Sequence, residues 1–306
     1  MTRREFTVGA AAAALSTPDA ALARKPEPII DTHQHLWDAS LPAPPWVPAE
    51  GPLAGSHSLA LYNAETAGLG IERTIYMEIA VRDEDLEAEA EAVVALCKGK
   101  QRPLVGAVIG GRPSDPAFEG YLRKHASSSF VKGVRQVLHG ATPQGTCLRP
   151  DFVRGIRLLG ERGLCFDVCL PAAFLSDGAA LADACPATRL VLDHCGNPNV
   201  QAPDQTQWRR DIDALAKRAN VSCKISGLVS SVRKGAWAPE DLAPFVEHCA
   251  RAFGPDRIVF GGDWPVCTLG AELAEWVRAL RQIIAPWPVG YRRKLLRENA
   301  IKIYRL

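Results

Sequence analysis

The chain is marked first by what it lacks. Its 306 residues contain no apolar run long enough to span a bilayer as a helix. They contain no basic stripe interleaved with aromatics, and the formal net charge is only +2, so a nucleic-acid partner is not expected. No G-x-G-x-x-G follows an early strand-like run, which leaves a doubly wound nucleotide-binding sheet without support. None of the nine cysteines forms a C-x-x-C pair, and their odd number leaves at least one free thiol or an intermolecular bridge. No internal repeat is visible. What remains is 47% hydrophobic and 23% charged, an ordinary globular composition that can bury a sizeable core. The length suits one large α/β barrel, for which about 250 residues is typical, better than two small domains.

The first residues read separately. Thr2-Arg3-Arg4-Glu5-Phe6 precedes a short, alanine-rich apolar run from Val8 to Leu15, and Ala21-Leu22-Ala23 follows. A charged start, a short apolar centre and an A-x-A end describe an export signal. The paired arginines resemble a twin-arginine leader. Residues 1–23 are therefore expected to be a signal peptide, with residues 24–306 forming a single periplasmic domain. The bland alternative is an alanine-rich helix. Twin-arginine substrates are exported already folded, as that resemblance implies. Folding in a reducing cytoplasm would leave the thiols mostly free.

From Pro28 onward, short β-rich runs alternate with longer amphipathic stretches. The runs are Ile29–His35, Arg73–Ala80, Pro103–Gly110, Val131–Leu138, Cys165–Leu170, Thr188–Cys195, Ser222–Leu228 and Arg257–Asp263. Most are near-continuous in Val, Ile and Leu, as expected of strands covered on both faces. Between them, Asp83–Lys98, Asp151–Arg162, Asp204–Ala219 and Pro239–Phe253 read as helices, three of them stopped by glycine. Tyr291–Tyr304 reads as a closing helix. Eight strand–helix units predict a (β/α)₈ TIM barrel. Two connections, 37–57 and 197–207, are long and loop-like, and long loops are usually functional.

In such a barrel the active site lies at the C-terminal ends of the strands. Reactive residues collect there: His33 and His35 on the first strand, Glu78 after the second, Arg135 on the fourth, His194 after the sixth, Lys224 and Ser226 on the seventh, Asp263 after the eighth. Side chains two apart on a strand share a face. His33 and His35 should therefore both point into the barrel mouth, roughly 6–7 Å apart by strand rise. Each residue alone has a structural explanation: a hydrogen-bonded core histidine, a helix-capping Asp263, a Lys224 held in an ion pair. Their coincidence at strand ends points to chemistry. Trp37, Trp46 and Trp264 are candidates for an apolar wall for a sugar ring, although tryptophans are also good core residues. His57 and His139 read as solvated loop residues.

The segments DTHQHLWD, GVRQVL, LDHCGNP, CKISGL, GGDWPV and ENAIKIYRL together resemble the amidohydrolase superfamily. More narrowly they resemble its sugar-lactone and pyrone-dicarboxylate lactonase branch, from Asp31 to Leu306. The resemblance implies a (β/α)₈ barrel, hydrolysis of ring esters, and a site formed by the histidines of strands one and six with the aspartate of strand eight. Strand four offers Arg135 where metal-rich members carry a bridging lysine or glutamate, and strand five has no histidine. A binuclear site is not expected. His33, His35, His194 and Asp263 could hold one Zn²⁺, and the branch includes members that need no metal. Glu78, Gln136 and Asn197 stand where Gln, His and Lys are more usual.

The expected function is hydrolysis of a small-molecule lactone, a sugar-acid lactone before a dicarboxylate one because the site has a single clear arginine. Asp263 would act as general base, with His33, His35 and His194 polarising the carbonyl directly or through one Zn²⁺. Arg135, Glu78, Lys224, Trp37 and Trp264 would bind the substrate, with Glu78 equally readable as a buried partner of Arg135. The alternatives are a metal-dependent decarboxylase or amide hydrolase of the same superfamily, and a non-catalytic periplasmic binding barrel. The oligomeric state is not legible.

Overall fold

The computed structural model describes residues 26–99 and 103–306; the expected signal peptide lies outside them. Eight parallel strands follow one another in a single sheet: β1 (Ile29–Gln34), β2 (Ile71–Met77), β3 (Leu104–Gly110), β4 (Val131–Val137), β5 (Cys165–Cys169), β6 (Arg189–Leu192), β7 (Val221–Ile225) and β8 (Ile258–Phe260). The ends of the sheet meet through Asp263 N–H to the His33 carbonyl at 2.7 Å and His35 N–H to the Trp264 carbonyl at 2.8 Å. This is the expected (β/α)₈ TIM barrel, and its closing seam runs through the functional segments.

The period of two along the strands sorts side chains to two sides. On β5, Phe166 and Val168 pack outward in the large core beneath the helices, while Cys165, Asp167 and Cys169 point inward. On β7, Val221, Cys223 and Ile225 face outward, leaving Lys224 inside. Outward positions are mostly apolar, with exceptions such as Asp31, which accepts from Tyr62 Oη at 2.8 Å. Inward positions are apolar at the bottom, with Ile30, Ile75, Val108, Val191 and Val259, and polar above. Gly133 is required where β4 meets β5: a Cβ there would lie 2.4 Å from Cys165 Sγ and 2.7 Å from its carbonyl oxygen.

Eight helices cover the barrel: α1 (Leu59–Glu65), α2 (Leu86–Lys98), α3 (Phe118–His125), α4 (Pro150–Glu161), α5 (Leu175–Ala184), α6 (Thr206–Ala216), α7 (Pro239–Phe253) and α8 (Leu273–Ile284). The sequence pattern located α2, α4 and α7 closely and overran both ends of α6. The closing helix comes in pieces, α9 (Val289–Arg293), a π-helical turn (Lys294–Glu298) and α10 (Asn299–Tyr304). Ala300, Ile303 and Tyr304 plug the bottom of the barrel. All nine cysteines are buried and free.

Candidate active site

A cavity of about 420 Å³ opens at the C-terminal ends of the strands, and His35, Arg135, His194 and Asp263 all line it. Its size is ordinary for a small-molecule site. Asp263 lies at its floor. Its Oδ1 is 3.6 Å from His35 Nε2, 3.7 Å from His33 Nε2 and 4.0 Å from His194 Nε2. The two strand-one histidines are closer than strand rise alone suggests, with Nε2 atoms 3.2 Å apart. An irregular register between Asp31 and Gln34 accompanies this approach.

Backbone strain marks the same place. Among the described residues, six that are not glycine have positive φ, between 49° and 58°: Ala80, His194, Cys195, Asn197, Asp263 and Arg305. Four of them, Ala80, His194, Asn197 and Asp263, line the cavity. Such backbone costs on the order of 1–3 kcal/mol per residue and clusters at functional sites. Gly227 completes the geometry at φ +69°, because a Cβ there would strike the His194 ring at 2.5 Å.

Hydrogen bonds assign the histidines different roles. His35 Nδ1 donates to the Met77 carbonyl at 3.0 Å, so its Nε2 presents a lone pair. His194 Nδ1 pairs with the Ser226 hydroxyl at 2.9 Å. That hydroxyl can donate to Nδ1 and leave Nε2–H facing the cavity. His33 is fully buried, with Lys224 Nζ 3.1 Å from Nδ1 and Arg135 Nη1 3.3 Å from Nε2. Burial and then Lys224 hold His33 well below the ordinary imidazole range. It is a neutral ring.

Beneath the cavity lies a sealed ionic layer. Lys224 Nζ sits 2.6 Å from Asp167 Oδ2 and 2.9 Å from Asp193 Oδ1, and Tyr304 Oη donates to the same Asp167 oxygen at 2.8 Å. Burial opposes the ammonium, but the two carboxylates together hold Lys224 above its ordinary value. Burial likewise opposes the Asp193 carboxylate, and Lys224 and His33 together bring it well below. Arg135 donates from Nε to Glu78 Oε1 at 2.6 Å, from Nη2 to the Glu78 carbonyl at 2.7 Å and from Nη1 to Asp193 Oδ2 at 3.3 Å. Burial opposes its charge too, yet Glu78 and its neighbours raise its affinity for the proton.

These placements correct several expectations. Lys224 is fully buried under His33 and does not reach the cavity. Trp264 is fully buried, with its indole N–H on Glu65 at 2.7 Å, and Trp37 is buried behind Trp46 at a ring separation of 5.4 Å. Neither forms the wall; Trp46 does. Glu78 is the buried partner of Arg135 rather than a group open to substrate hydroxyls. Arg135 reaches the cavity with four of its five N–H donors engaged, so little of its fork is left to grip a carboxylate. His57 is buried against Trp37 and Trp264, whereas His139 is exposed at the rim. Asp193 and Asp167 were passed over as site residues, although an acid next to His194 and an acid two residues before a strand end were the available signals. Cys169 also lines the cavity, but burial pushes its thiol up to about 12, which argues against a thiolate nucleophile.

Ligands at 2.0–2.1 Å in a tetrahedron are separated by about 3.3–3.4 Å. The 3.2, 3.6 and 3.7 Å separations among His33, His35 and Asp263 fit one ion. The anchoring of His35 by a carbonyl and His194 by a hydroxyl is also usual for metal-binding imidazoles. Arg135 competes for the His33 nitrogen.

A parallel eight-stranded barrel with histidines and an aspartate at its strand ends has the architecture of a hydrolase of the amidohydrolase type. Residues 30–306 match the amidohydrolase family, and the chain belongs to it. It is 31% identical over 271 residues to an L-fucono-1,5-lactonase of Burkholderia multivorans, spanning 80% of this chain and 85% of that protein. It is 24% identical to an L-rhamnono-gamma-lactonase of Scheffersomyces stipitis, over 91% and 98% of the two chains. Among solved structures it resembles a zinc-bound amidohydrolase from Burkholderia multivorans, with a TM-score of 0.82 and 25% identity over 91% of this chain and 99% of the other.

Proposed function

We propose that the protein hydrolyses the ring ester of an uncharged lactone, with Asp263 as general base. The observation that carries this reading is the Asp263 carboxylate on the cavity floor, within 3.6–4.0 Å of three imidazole nitrogens. The lactonases among its relatives support it. Asp263 takes a proton from water as the oxygen attacks the carbonyl carbon. His194 Nε2–H is the group placed to hydrogen-bond the developing oxyanion. The tetrahedral carbon then releases the ring oxygen, and Asp263 returns the proton to it. His33, neutral and shielded, positions its neighbours. One Zn²⁺ held by His33, His35 and Asp263, whose spacing fits an ion, would supply a Lewis acid and a more acidic water.

Four of the five N–H donors of Arg135 are taken up by Glu78, Asp193 and His33, which favours an uncharged substrate over a dicarboxylate. Sugar-acid lactones of the kinds named for the relatives head the panel to be assayed by acid release, with and without chelator. Asp263→Asn should lower kcat by at least about 100-fold while leaving the fold intact. Wild-type turnover by that variant, or no acid release from any lactone, would sink the reading. Survival of activity in chelator would assign carbonyl polarisation to His194 alone. The leader-like N-terminus adds the proposal that the reaction takes place in the periplasm, which cell fractionation tests.

A further inference from the structure

The cavity wall differs from its floor. Away from the reacting groups it is formed by Trp46, Ile79, Val137 and Val266. Trp46 is 42% exposed and yet held in place: its indole N–H donates to the Ile79 carbonyl at 2.7 Å. Behind it stand Trp37, His57 and Trp264 in successive ring contacts of 5.4, 4.8 and 5.4 Å. The loop that carries it is pinned at its base, where Trp37 and His57 exchange backbone hydrogen bonds of 3.1 and 2.7 Å. A rigid indole is thus presented to the cavity rather than buried in the core.

Part of the polar capacity of the wall is spent, and His139, the other polar side chain there, stands at the rim. Asn197 Nδ2 donates to the Leu170 carbonyl at 2.8 Å, and the Ser230 hydroxyl donates to the Gly227 carbonyl at 2.6 Å. Arg135 is committed as described. A polyhydroxylated ring would bring several hydroxyls against this wall, and each one buried without a partner costs free energy. An alkyl or aryl group would instead lose apolar surface to water against Trp46 and its neighbours.

We infer that the substrate is a lactone whose non-reacting part is apolar, alkyl or aryl, and that Trp46 is the residue that selects it. This rests on the proposed lactone hydrolysis and narrows its substrate class. Binding is tested apart from turnover with inert lactams, in which the ring oxygen is replaced by N–H. Calorimetry on the full-length protein would compare an aryl-fused lactam with a hydroxylated sugar lactam. The expected result is binding of the aryl lactam at least about tenfold tighter, with Trp46→Ala weakening the aryl lactam about tenfold or more and the sugar lactam much less. Equal or tighter binding of the sugar lactam, no binding of either, or an equal loss for both in Trp46→Ala would overturn the inference. Trp46→Phe, which keeps a flat apolar face, should restore most of the aryl affinity. If the aryl lactam binds as expected but no lactone is hydrolysed, the reaction assignment fails, while the selection of an apolar group by Trp46 stands.

Discussion

Replacing Lys224 by Met tests the ionic layer under the site. The ammonium is fully buried, 2.6 Å from Asp167 and 2.9 Å from Asp193, and Met has nearly the same length without the charge. Removing one partner of a buried ion pair leaves the others uncompensated and costs about 3–5 kcal/mol. The loss is bounded here because each carboxylate keeps another donor. Asp167 retains the Tyr304 hydroxyl at 2.8 Å, and Asp193 retains Arg135 at 3.3 Å. Burial already raises the proton affinity of Asp167, so it can take up a proton once the lysine is gone. For a barrel of this size a loss of that order lowers Tm by on the order of 10 °C. Urea unfolding followed by tryptophan fluorescence and circular dichroism would measure it. Adding Asp167→Asn to Lys224→Met should recover part of the loss, because the orphaned charge is removed with its partner. A single variant that loses less than about 1 kcal/mol, the cost of a surface pair, would refute the account of this layer.

Two other perturbations address the site and its support. Gly227→Ala puts a methyl group 2.5 Å from the His194 ring at φ +69°, so activity should fall far more than the strain cost of about 1–2 kcal/mol explains; kcat and unfolding free energy measured on one preparation separate the two. Glu89 concerns pH. Its Oε1 accepts from Tyr76 Oη and from the Ile79 N–H, and burial followed by the neighbouring Glu78 pushes its carboxyl up from 4.5 to about 7. The folded value lies above the unfolded one, so the contribution of Glu89 to stability is complete below about pH 4.5 and is lost as the pH rises through about 7. Glu89→Gln should flatten the stability profile across that window by on the order of 2–3 kcal/mol, and an unchanged profile would count against the assignment.

The fold was legible because the outward face of every strand must be mostly apolar to meet the helices, and this repeats eight times. The gathering of His33, His35, His194 and Asp263 was legible because a barrel brings strand ends together. What lay beyond the sequence was partnership. Nothing in the order of residues says that Lys224 finds Asp167 and Asp193, from β5 and the end of β6, beneath His33. Whether an inward lysine ends in the ionic layer or the cavity depends on its height in the barrel, and that follows from strand stagger. The tryptophans failed as markers for a related reason. Trp37, Trp46 and Trp264 share one chain of ring contacts, and of the three Trp46 alone reaches the cavity. Periodicity cannot order residues along a non-repeating loop.

The charges inside the barrel decide which substrates can enter. Lys224 and Arg135 are matched by Asp167, Asp193 and Glu78, all sealed by burial. Asp263 has no such cation; its neighbours are imidazoles, one of them held neutral. A substrate carboxylate about 5 Å from Asp263 would meet a repulsion of about 3 kcal/mol at an effective dielectric constant of 20. That corresponds to roughly a hundredfold weaker binding or more. A lactone bearing a free carboxylate should therefore show a kcat/KM about two orders of magnitude below that of its methyl ester, with the difference mainly in KM. Asp263→Asn, although inactive, should bind the two as inhibitors with nearly equal affinity. If the carboxylate binds as well as the ester in the wild type, a compensating cation must reach the cavity, and Arg135 is the one whose hydrogen bonds would have to rearrange.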